Sequence, residues 1–80
     1  MRQRYIVSYD ICDDRRLRQV AKIMESFGIR IQYSVFQCDL NSTDVVRLKG
    51  KLVDVVHALE DQVLFVNIGP ADSPRDIISA

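Results

Sequence analysis

An aspartate closes an apolar segment near the start of the chain, and further ions follow it at once. In the stretch SYDICDDRRLR, residues 8–18, two more aspartates and three arginines come within eight residues of Asp10. A carboxylate at the end of an apolar strand is an oxygen ligand that suits a hard cation such as Mg²⁺. The bound ion could polarise a phosphodiester and activate a water that attacks it. The alternative is an aspartate that only makes a turn.

One carboxylate is too few for a metal site, so Asp10 would have to work with a second copy of itself. A twofold axis would bring two Asp10 side chains opposite each other, and waters with a substrate phosphate could complete an octahedral shell. If Asp10 binds a metal, the sequence therefore predicts Mg²⁺, or Mn²⁺, shared between the two Asp10 residues of a homodimer, and the turn-forming aspartate remains the alternative at this point.

The ions after Asp10 have separate interpretations. Asp13 and Asp14 precede a helix pattern, where caps that complement the helix dipole are more common than metal ligands. The basic side chains that the apolar stripe of this helix leaves to solvent are Arg15, Arg16, Arg18 and Lys22. They form either a solvated basic face or a set of phosphate contacts beside the metal. Residues 1–30 hold seven Lys and Arg against four Asp and Glu (+3), and residues 31–80 hold four against seven (−3), so an anionic partner would meet the first half.

Hydrophobic periodicity predicts the elements that position these residues. Residues 4–10 alternate as a strand, with Tyr5, Val7 and Tyr9 on one face. A helix follows, whose apolar positions recur at three and four residues: Leu17, Val20, Ala21, Met24 and Phe27. Gly28 ends this helix.

The rest of the chain predicts further strands and a second helix. Residues 29–40 are rich in strand formers but long for one strand, which allows a hairpin bent near Tyr33 or Ser34. Residues 41–43 are polar caps, and a second amphipathic helix is traced by Val45, Leu48, Leu52, Val55 or Val56, and Leu59. The only histidine, His57, is predicted at an exposed position of this helix. Residues 63–68 form the last clear strand, residues 69–74 a loop, and residues 75–80 a short strand or a frayed end.

The order of these elements fits the α+β ferredoxin-like fold βαββαβ, an antiparallel sheet with both helices on one face. Residues 1–80 then form a single domain. The strands carry apolar residues on both sides, and two helices can cover only one side of the sheet. A second copy of the chain is the simplest cover, which predicts a homodimer formed through the open face.

Composition narrows the class of protein. The chain has 80 residues, 48% hydrophobic and 28% charged, as in a small globular domain and not in a disordered chain. Cys12 and Cys38 lie far apart and outside any CxxC pair, so reduced thiols are expected. No stretch approaches the length of a membrane span and there is no glycine-rich phosphate loop. These features predict a cytoplasmic protein without membrane contact or nucleotide cofactor.

Three stretches give the chain a closer resemblance. SYDI at residues 8–11, DDRRLR at residues 13–18 and IQYSVFQCDL at residues 31–40 resemble the second CRISPR-associated protein family. The resemblance runs from about Tyr5 to Ile68, and the motifs stand in the right order and spacing. It implies a ferredoxin-like homodimer and a divalent-metal-dependent endonuclease activity on RNA or DNA. It also implies a role in antiviral defence beside the CRISPR integrase, when new spacers are acquired.

The resemblance implies roles for single residues. Asp10 would be the catalytic residue and the metal ligand. The residues that would contact the nucleic-acid backbone are Arg16, Arg18 and Arg30. Phe36 matches the aromatic of the SVF motif and is predicted at the interface, because a strand aromatic is more often core or interface than a base-stacking platform. Tyr9 precedes Asp10 and is expected on the opposite face of the strand. For both Tyr9 and Phe36, a position next to the site is the alternative to a position at the interface.

Other functions remain open at this stage. An architectural dimer could hold duplex DNA for the integrase through the basic surface of residues 1–30. A related RNA-cleaving toxin would share the ferredoxin-like fold. No base-reading module is recognisable, so the sequence does not choose between RNA and DNA.

Overall fold

Strands and helices alternate along the chain in the order expected from the sequence. The computed structural model describes residues 1–72, so the expectations for residues 73–80 lie outside the described residues. The strands are β1 (Gln3–Asp10), β2 (Ile29–Gln32), β3 (Val35–Leu40) and β4 (Gln62–Pro70). The helices are α1 (Asp14–Glu25) and α2 (Ser42–Val53). Within residues 1–72, neither helix has the length and hydrophobicity that crossing a membrane requires.

The four strands form one antiparallel sheet in the spatial order β2-β3-β1-β4. β1 lies in the centre, paired with β3 on one side and with β4 on the other. This is the ferredoxin-like arrangement, so the predicted fold is confirmed. The last residue of the central strand, Asp10, lies opposite Gln62 of β4.

The alternation of β1 decides which side chains reach the core. Val7 is fully buried and Tyr9 is only 4% exposed, whereas Asp10 is exposed. The core that β1 shares with β3 and both helices consists of Val7, Tyr9, Val20, Met24, Phe36, Cys38, Leu40, Leu48 and Leu52. Full burial of a large apolar side chain stabilises the folded state by roughly 1.5–3 kcal/mol relative to leaving it exposed. The two helices therefore pack on the face of the sheet that carries these residues.

Both helices begin at the caps that the sequence indicates. The carboxylate of Asp13 accepts a hydrogen bond from the backbone N–H of Arg16 (3.0 Å), and this bond lowers the pKa of Asp13. Asn41 caps α2 through the N–H of Asp44 (2.8 Å), and the carboxylate of Asp44 accepts the N–H of Asn41 in return. These bonds satisfy donors that the first turn of a helix would otherwise leave unpaired.

Residues 29–40 form a hairpin at the position that the sequence allowed. β2 ends at Gln32 and β3 begins at Val35, so Tyr33 and Ser34 make the turn. Neither turn residue has a positive φ, which explains why no glycine marks the turn. The N–H of Tyr9 donates to the carbonyl oxygen of Ser34 (3.0 Å), so the turn is held against the end of β1.

α2 is shorter than predicted. The helix ends at Val53, and Leu59, which was expected to continue it, is 92% exposed in the following loop. His57 is exposed as predicted, but it lies in this loop and not on the helix. The prediction of its element was wrong because the carboxylate of Asp61 accepts the N–H of His57 (2.8 Å), which stabilises a turn where another helical turn was expected.

β4 is longer than predicted. Gly69 and Pro70 were expected in a loop, but both belong to the strand. Gly69 has a φ of 112°, which glycine adopts without a Cβ penalty, and its N–H donates to Oδ1 of Asn67 (2.8 Å). The ladder shifts register there and resumes with Pro70 opposite Gln3. The loop prediction failed because glycine and proline here mark an irregular edge strand.

One face of the sheet carries no helix, as predicted. Its apolar side chains come from three strands: Ile6, Val35, Leu64 and Val66. Leu64 is 61% exposed, a large value for a leucine in the sheet of so small a domain. By the same alternation, an ion pair between Arg4 of β1 and Asp39 of β3 (3.0 and 3.3 Å) lies towards one end of this face. Asp10 lies at the other end of β1.

Candidate active site at the end of the first strand

A cleft of about 440 Å³ opens where β1 ends, beside α1 and the β2–β3 turn. Its lining includes Asp10, Arg18 and Arg30, which come from three different elements. Tyr9 and Tyr33 also line it. The tertiary structure thus brings together three residues that the sequence indicated at separate positions of the chain.

Asp10 lies at the edge of this cleft, and its carboxylate is unengaged. The residue is exposed at the last position of β1, since strand alternation turns it away from the core that holds Tyr9. Among residues 1–72, no cationic side chain forms an ion pair with it. Its oxygen atoms are therefore available to an external ligand.

Two arginines supply positive charge to the cleft. Arg18 is exposed on α1 and forms no ion pair within the described residues. Arg30 lies with its guanidinium carbon 5.2 Å from the centre of the Phe36 ring, and its Nη2 is 3.9 Å from Oε1 of Glu25. The aromatic ring holds the Arg30 side chain by a cation–π contact, yet 48% of that side chain remains exposed. Two cations beside one carboxylate suit a polyanionic ligand.

Arg16 lies in an ion-pair network beside the cleft. Its Nε and Nη2 contact the two carboxylate oxygens of Asp61 at 2.8 and 3.2 Å, and Nη2 also lies 3.1 Å from Glu60. Two-point pairing of this kind fixes the guanidinium in one orientation. The phosphate contact expected of Arg16 therefore stays a prediction, and the structure adds a second role for the residue in ordering the fold.

Asp61 is the centre of this network. Its side chain has no exposed surface, and it accepts the N–H groups of Cys12 (2.9 Å) and His57 (2.8 Å) in addition to the Arg16 bonds. The Arg16 guanidinium holds the pKa of Asp61 well below its ordinary value, and the two N–H donors act in the same direction. The network ties the loop after Asp10 to the loop before β4.

Sequence reasoning missed Asp61. Forty-five positions separate it from Arg16. No spacing rule connects residues so far apart, and an aspartate before a strand is ordinary loop composition.

Phe36 lies in the core and not at an interface, so the interface prediction for it was wrong. The alternation of β3 places Phe36 on the side of the sheet that the helices cover, where it is fully buried. Its ring stacks against that of Tyr9, with centroids 6.2 Å apart. Tyr9 lies on the opposite face from Asp10, as expected, and its buried hydroxyl has no hydrogen-bond partner within the described residues. Both aromatic residues support the cleft from within the subunit.

The donor set indicates how a divalent ion could fit. Among residues 1–72, no group of three or more His, Cys, Asp and Glu side chains is placed to enclose a metal ion. A closed tetrahedral site of the zinc type would need such a group. Mg²⁺ keeps several waters and binds through one or two carboxylates, so an exposed Asp10 fits it as one ligand. The described residues of one subunit therefore offer Mg²⁺ a single carboxylate ligand at this position.

Cys12 and Cys38 are both free thiols, as predicted, and neither lines the cleft. Burial raises the pKa of the Cys38 thiol to about 11, and the nearby Asp39 adds to the shift. The Cys12 thiol donates to the carbonyl oxygen of Glu60 (2.9 Å).

The fold and the cleft together define a class of protein: a small ferredoxin-like domain with an acidic strand end beside a cleft lined by two arginines. The particular family follows from sequence comparison. The family model for CRISPR associated protein Cas2 matches residues 1–75. The chain belongs to this family, which confirms the resemblance inferred from the three motifs.

Individual relatives agree with this assignment. The chain is 39% identical over 80 residues, all of this chain and 84% of the relative, to the CRISPR-associated endoribonuclease Cas2 of Geobacter sulfurreducens. It is 45% identical over 74 residues, 91% of this chain and 78% of the relative, to the protein of the same name from Thermus thermophilus. Among solved structures, Cas2 of Streptococcus pyogenes superposes with a TM-score of 0.77 at 31% identity, over 82% of this chain and 86% of that one.

Proposed function

We propose that this chain is a metal-dependent endonuclease of CRISPR antiviral defence, active as a homodimer in which two copies of Asp10 share a Mg²⁺ or Mn²⁺ ion. The observation that carries the proposal is the cleft at the end of β1, where the unengaged carboxylate of Asp10 stands with Arg18 and Arg30. The names of the relatives support a nuclease, since those of Geobacter and Thermus are both called endoribonucleases.

The residues of the cleft have different roles in the proposed reaction. Arg18 and Arg30 hold phosphates, which places a phosphodiester beside Asp10 without reading a base. Asp10 contributes the oxygen ligands of the site. A divalent ion bound there would polarise the phosphodiester and lower the pKa of an attacking water. Arg16, paired with Asp61, orders the loop that follows Asp10, and a phosphate would meet only the exposed part of its guanidinium.

The open face of the sheet supports the homodimer. Apolar side chains such as Leu64 and Val66 would lose contact with water if a second copy covered them. Asp10, the last residue of β1, turns to that face by strand alternation and also lines the cleft, whereas Arg18 and Arg30 lie on the side of the helices, so a dimer formed there would bring the two Asp10 carboxylates together at the edge of the cleft. A site shared between subunits also explains why one subunit offers only a single carboxylate.

Nuclease assays of the wild type and of Asp10→Asn, with Mg²⁺, Mn²⁺ or EDTA, test the proposal. Asparagine keeps the size of the side chain and removes its charge, so the variant should fold but lose metal-dependent cleavage. Asp14→Asn is the matched control, because Asp14 is an exposed acid at the start of α1 that does not line the cleft. The control should cleave as the wild type does.

Equal cleavage by the wild type and Asp10→Asn would refute the proposal. Identical purification of all three proteins exposes a contaminating nuclease, which would give the same activity in each preparation. Cleavage that persists in EDTA would refute the metal dependence while leaving a nuclease.

A second candidate function is architectural: a dimer that holds duplex DNA for the CRISPR integrase. The exposed cations Arg18 and Arg30 favour it, because arginine binds a phosphate backbone without any metal. In that case Asp10→Asn should bind DNA as well as the wild type does, and neither protein should show metal-dependent cleavage. The integrase is the expected partner under both functions.

A further inference from the structure

The most exposed aromatic side chain of the described residues belongs to the turn beside the cleft. Tyr33 is 96% exposed at the tip of the β2–β3 hairpin. The other two tyrosines are packed against rings: Tyr9 stacks on Phe36, and Tyr5 meets Phe65 edge-on with centroids 6.3 Å apart. No ring contact involves Tyr33 within residues 1–72. A large ring held in water on a short turn has no evident part in folding.

The surroundings of Tyr33 indicate what its ring could meet. Tyr33 and Arg30 line the cleft that contains Asp10, and the same two residues line a neighbouring cleft of about 570 Å³ along β2. The two clefts therefore adjoin at Arg30 and Tyr33. Arg18 and Arg30 supply positive charges for phosphates in the cleft that contains Asp10, and the ring of Tyr33 supplies a flat apolar surface beside them.

We propose that Tyr33 is a stacking platform for one nucleobase of the bound strand. This subsite rests on the nucleic-acid cleft of the proposed function and adds a base contact to it. Phosphates held by Arg18 and Arg30 leave the base of a nearby nucleotide free to lie on the ring. Stacking accepts any base, because every base has a π face, so the subsite favours an unpaired strand over particular sequences.

The preference of this subsite for single strands follows from the stacking and pairing of bases in a duplex. In a duplex each base is already stacked on its neighbours and paired, so none is free to leave for an external ring without a cost of a few kcal/mol. A single strand has no such cost. Tyr33 should therefore contribute to the binding of single strands and contribute nothing to the binding of an intact duplex.

Binding measurements in EDTA, with Asp10→Asn as the parent protein, separate this subsite from catalysis. The variants are Tyr33→Leu, which removes the ring, and Tyr33→Phe, which keeps it. Leu59→Ala is the matched control, because Leu59 is 92% exposed and lies outside the cleft. The ligands are a short single-stranded oligonucleotide, the same strand with abasic sites, and its duplex. A 2-aminopurine placed in the single strand reports stacking directly by fluorescence quenching.

Tyr33→Leu should weaken single-strand binding by about 5- to 150-fold and abolish the quenching, because an aromatic stack contributes that much per base. Tyr33→Phe and Leu59→Ala should bind as the parent does, and abasic and duplex ligands should not distinguish the variants. The subsite is refuted by unchanged single-strand binding in Tyr33→Leu, by equal weakening on abasic strands, or by a change of oligomeric mass in that variant. These binding measurements contain no metal and so do not depend on cleavage. If Tyr33→Leu weakens single-strand binding but the wild type shows no cleavage in the nuclease assays, the nuclease proposal is refuted and the stacking subsite is not.

Discussion

Replacing Arg18 with alanine should make nucleic-acid binding less sensitive to salt, by an amount that follows from the cleft. The Arg18 guanidinium is exposed and has no ion pair within residues 1–72, so its full charge can meet a phosphate. Each neutralised phosphate contributes about 0.9 to the slope of log Kobs against log salt on B-DNA, and about 0.7 on a single strand. A homodimer carries Arg18 twice, so the slope should flatten by about 1.8 on a duplex and about 1.4 on a single strand.

Fluorescence anisotropy over a series of salt concentrations measures this slope. Asp10→Asn in EDTA is the parent protein, so that cleavage does not remove the ligand. Arg47→Ala is the control, because Arg47 is also exposed but lies on α2 outside the cleft, with its Nη1 3.9 Å from Oδ1 of Asp44. The control loses the same charge as Arg18→Ala and should keep the slope of the parent protein.

Three results would contradict this reasoning. An unchanged slope in Arg18→Ala would show that Arg18 does not contact the backbone. Equal flattening in Arg47→Ala would show that net charge, and not the cleft, governs the binding. Flattening by half the expected amount would show that only one subunit of the dimer uses its arginine.

Two further predictions concern the framework that holds the site. Gly28→Ala should lower the free energy of unfolding by about 1–3 kcal/mol, because the added Cβ would collide with the backbone carbonyl of Gln37. Gly50→Ala should raise the free energy of unfolding by about 1 kcal/mol, because Gly50 lies on an open part of α2. Thermal unfolding followed by circular dichroism should give shifts of opposite sign, and a stable Gly28→Ala would contradict the close approach of the α1–β2 connection to β3. Asp61→Asn should unfold at a lower temperature than the wild type near neutral pH, and the difference should shrink as the pH falls below the ordinary carboxyl value of 3.8. The pH dependence has this direction because Arg16 depresses the pKa of Asp61 in the folded state. The stabilisation is therefore complete above the pKa of the unfolded state and is lost as the pH falls through the pKa of the folded state. A difference in unfolding temperature that persists unchanged in acid would contradict this prediction.

Most of the fold could be predicted because it depends on local patterns. The period of two in β1 and the spacing of three and four in α1 each identify an element and the face that it buries. The cap at Asp13 and the bend at Tyr33 and Ser34 are also decided by neighbouring residues. The ends of α2 and β4 were less predictable, because Asp61 and the bulge at Gly69 act on them through the rest of the structure.

The candidate site divides in the same way. The local pattern of the sequence indicated Asp10 and Arg18, since a charge at the end of an apolar strand or outside a helix stripe stands out, whereas Arg30 was indicated by the family resemblance. Their meeting in one cleft was decided by the packing of α1 and the β2–β3 hairpin beside the end of β1, and the exposed position of Tyr33 beside them was decided by that hairpin. The burial of Phe36 and the pairing of Arg16 with Asp61 were equally beyond local pattern. The physical reason is that periodicity reports which face of an element is apolar, whereas partners 45 residues apart are chosen only when the sheet and helices pack together.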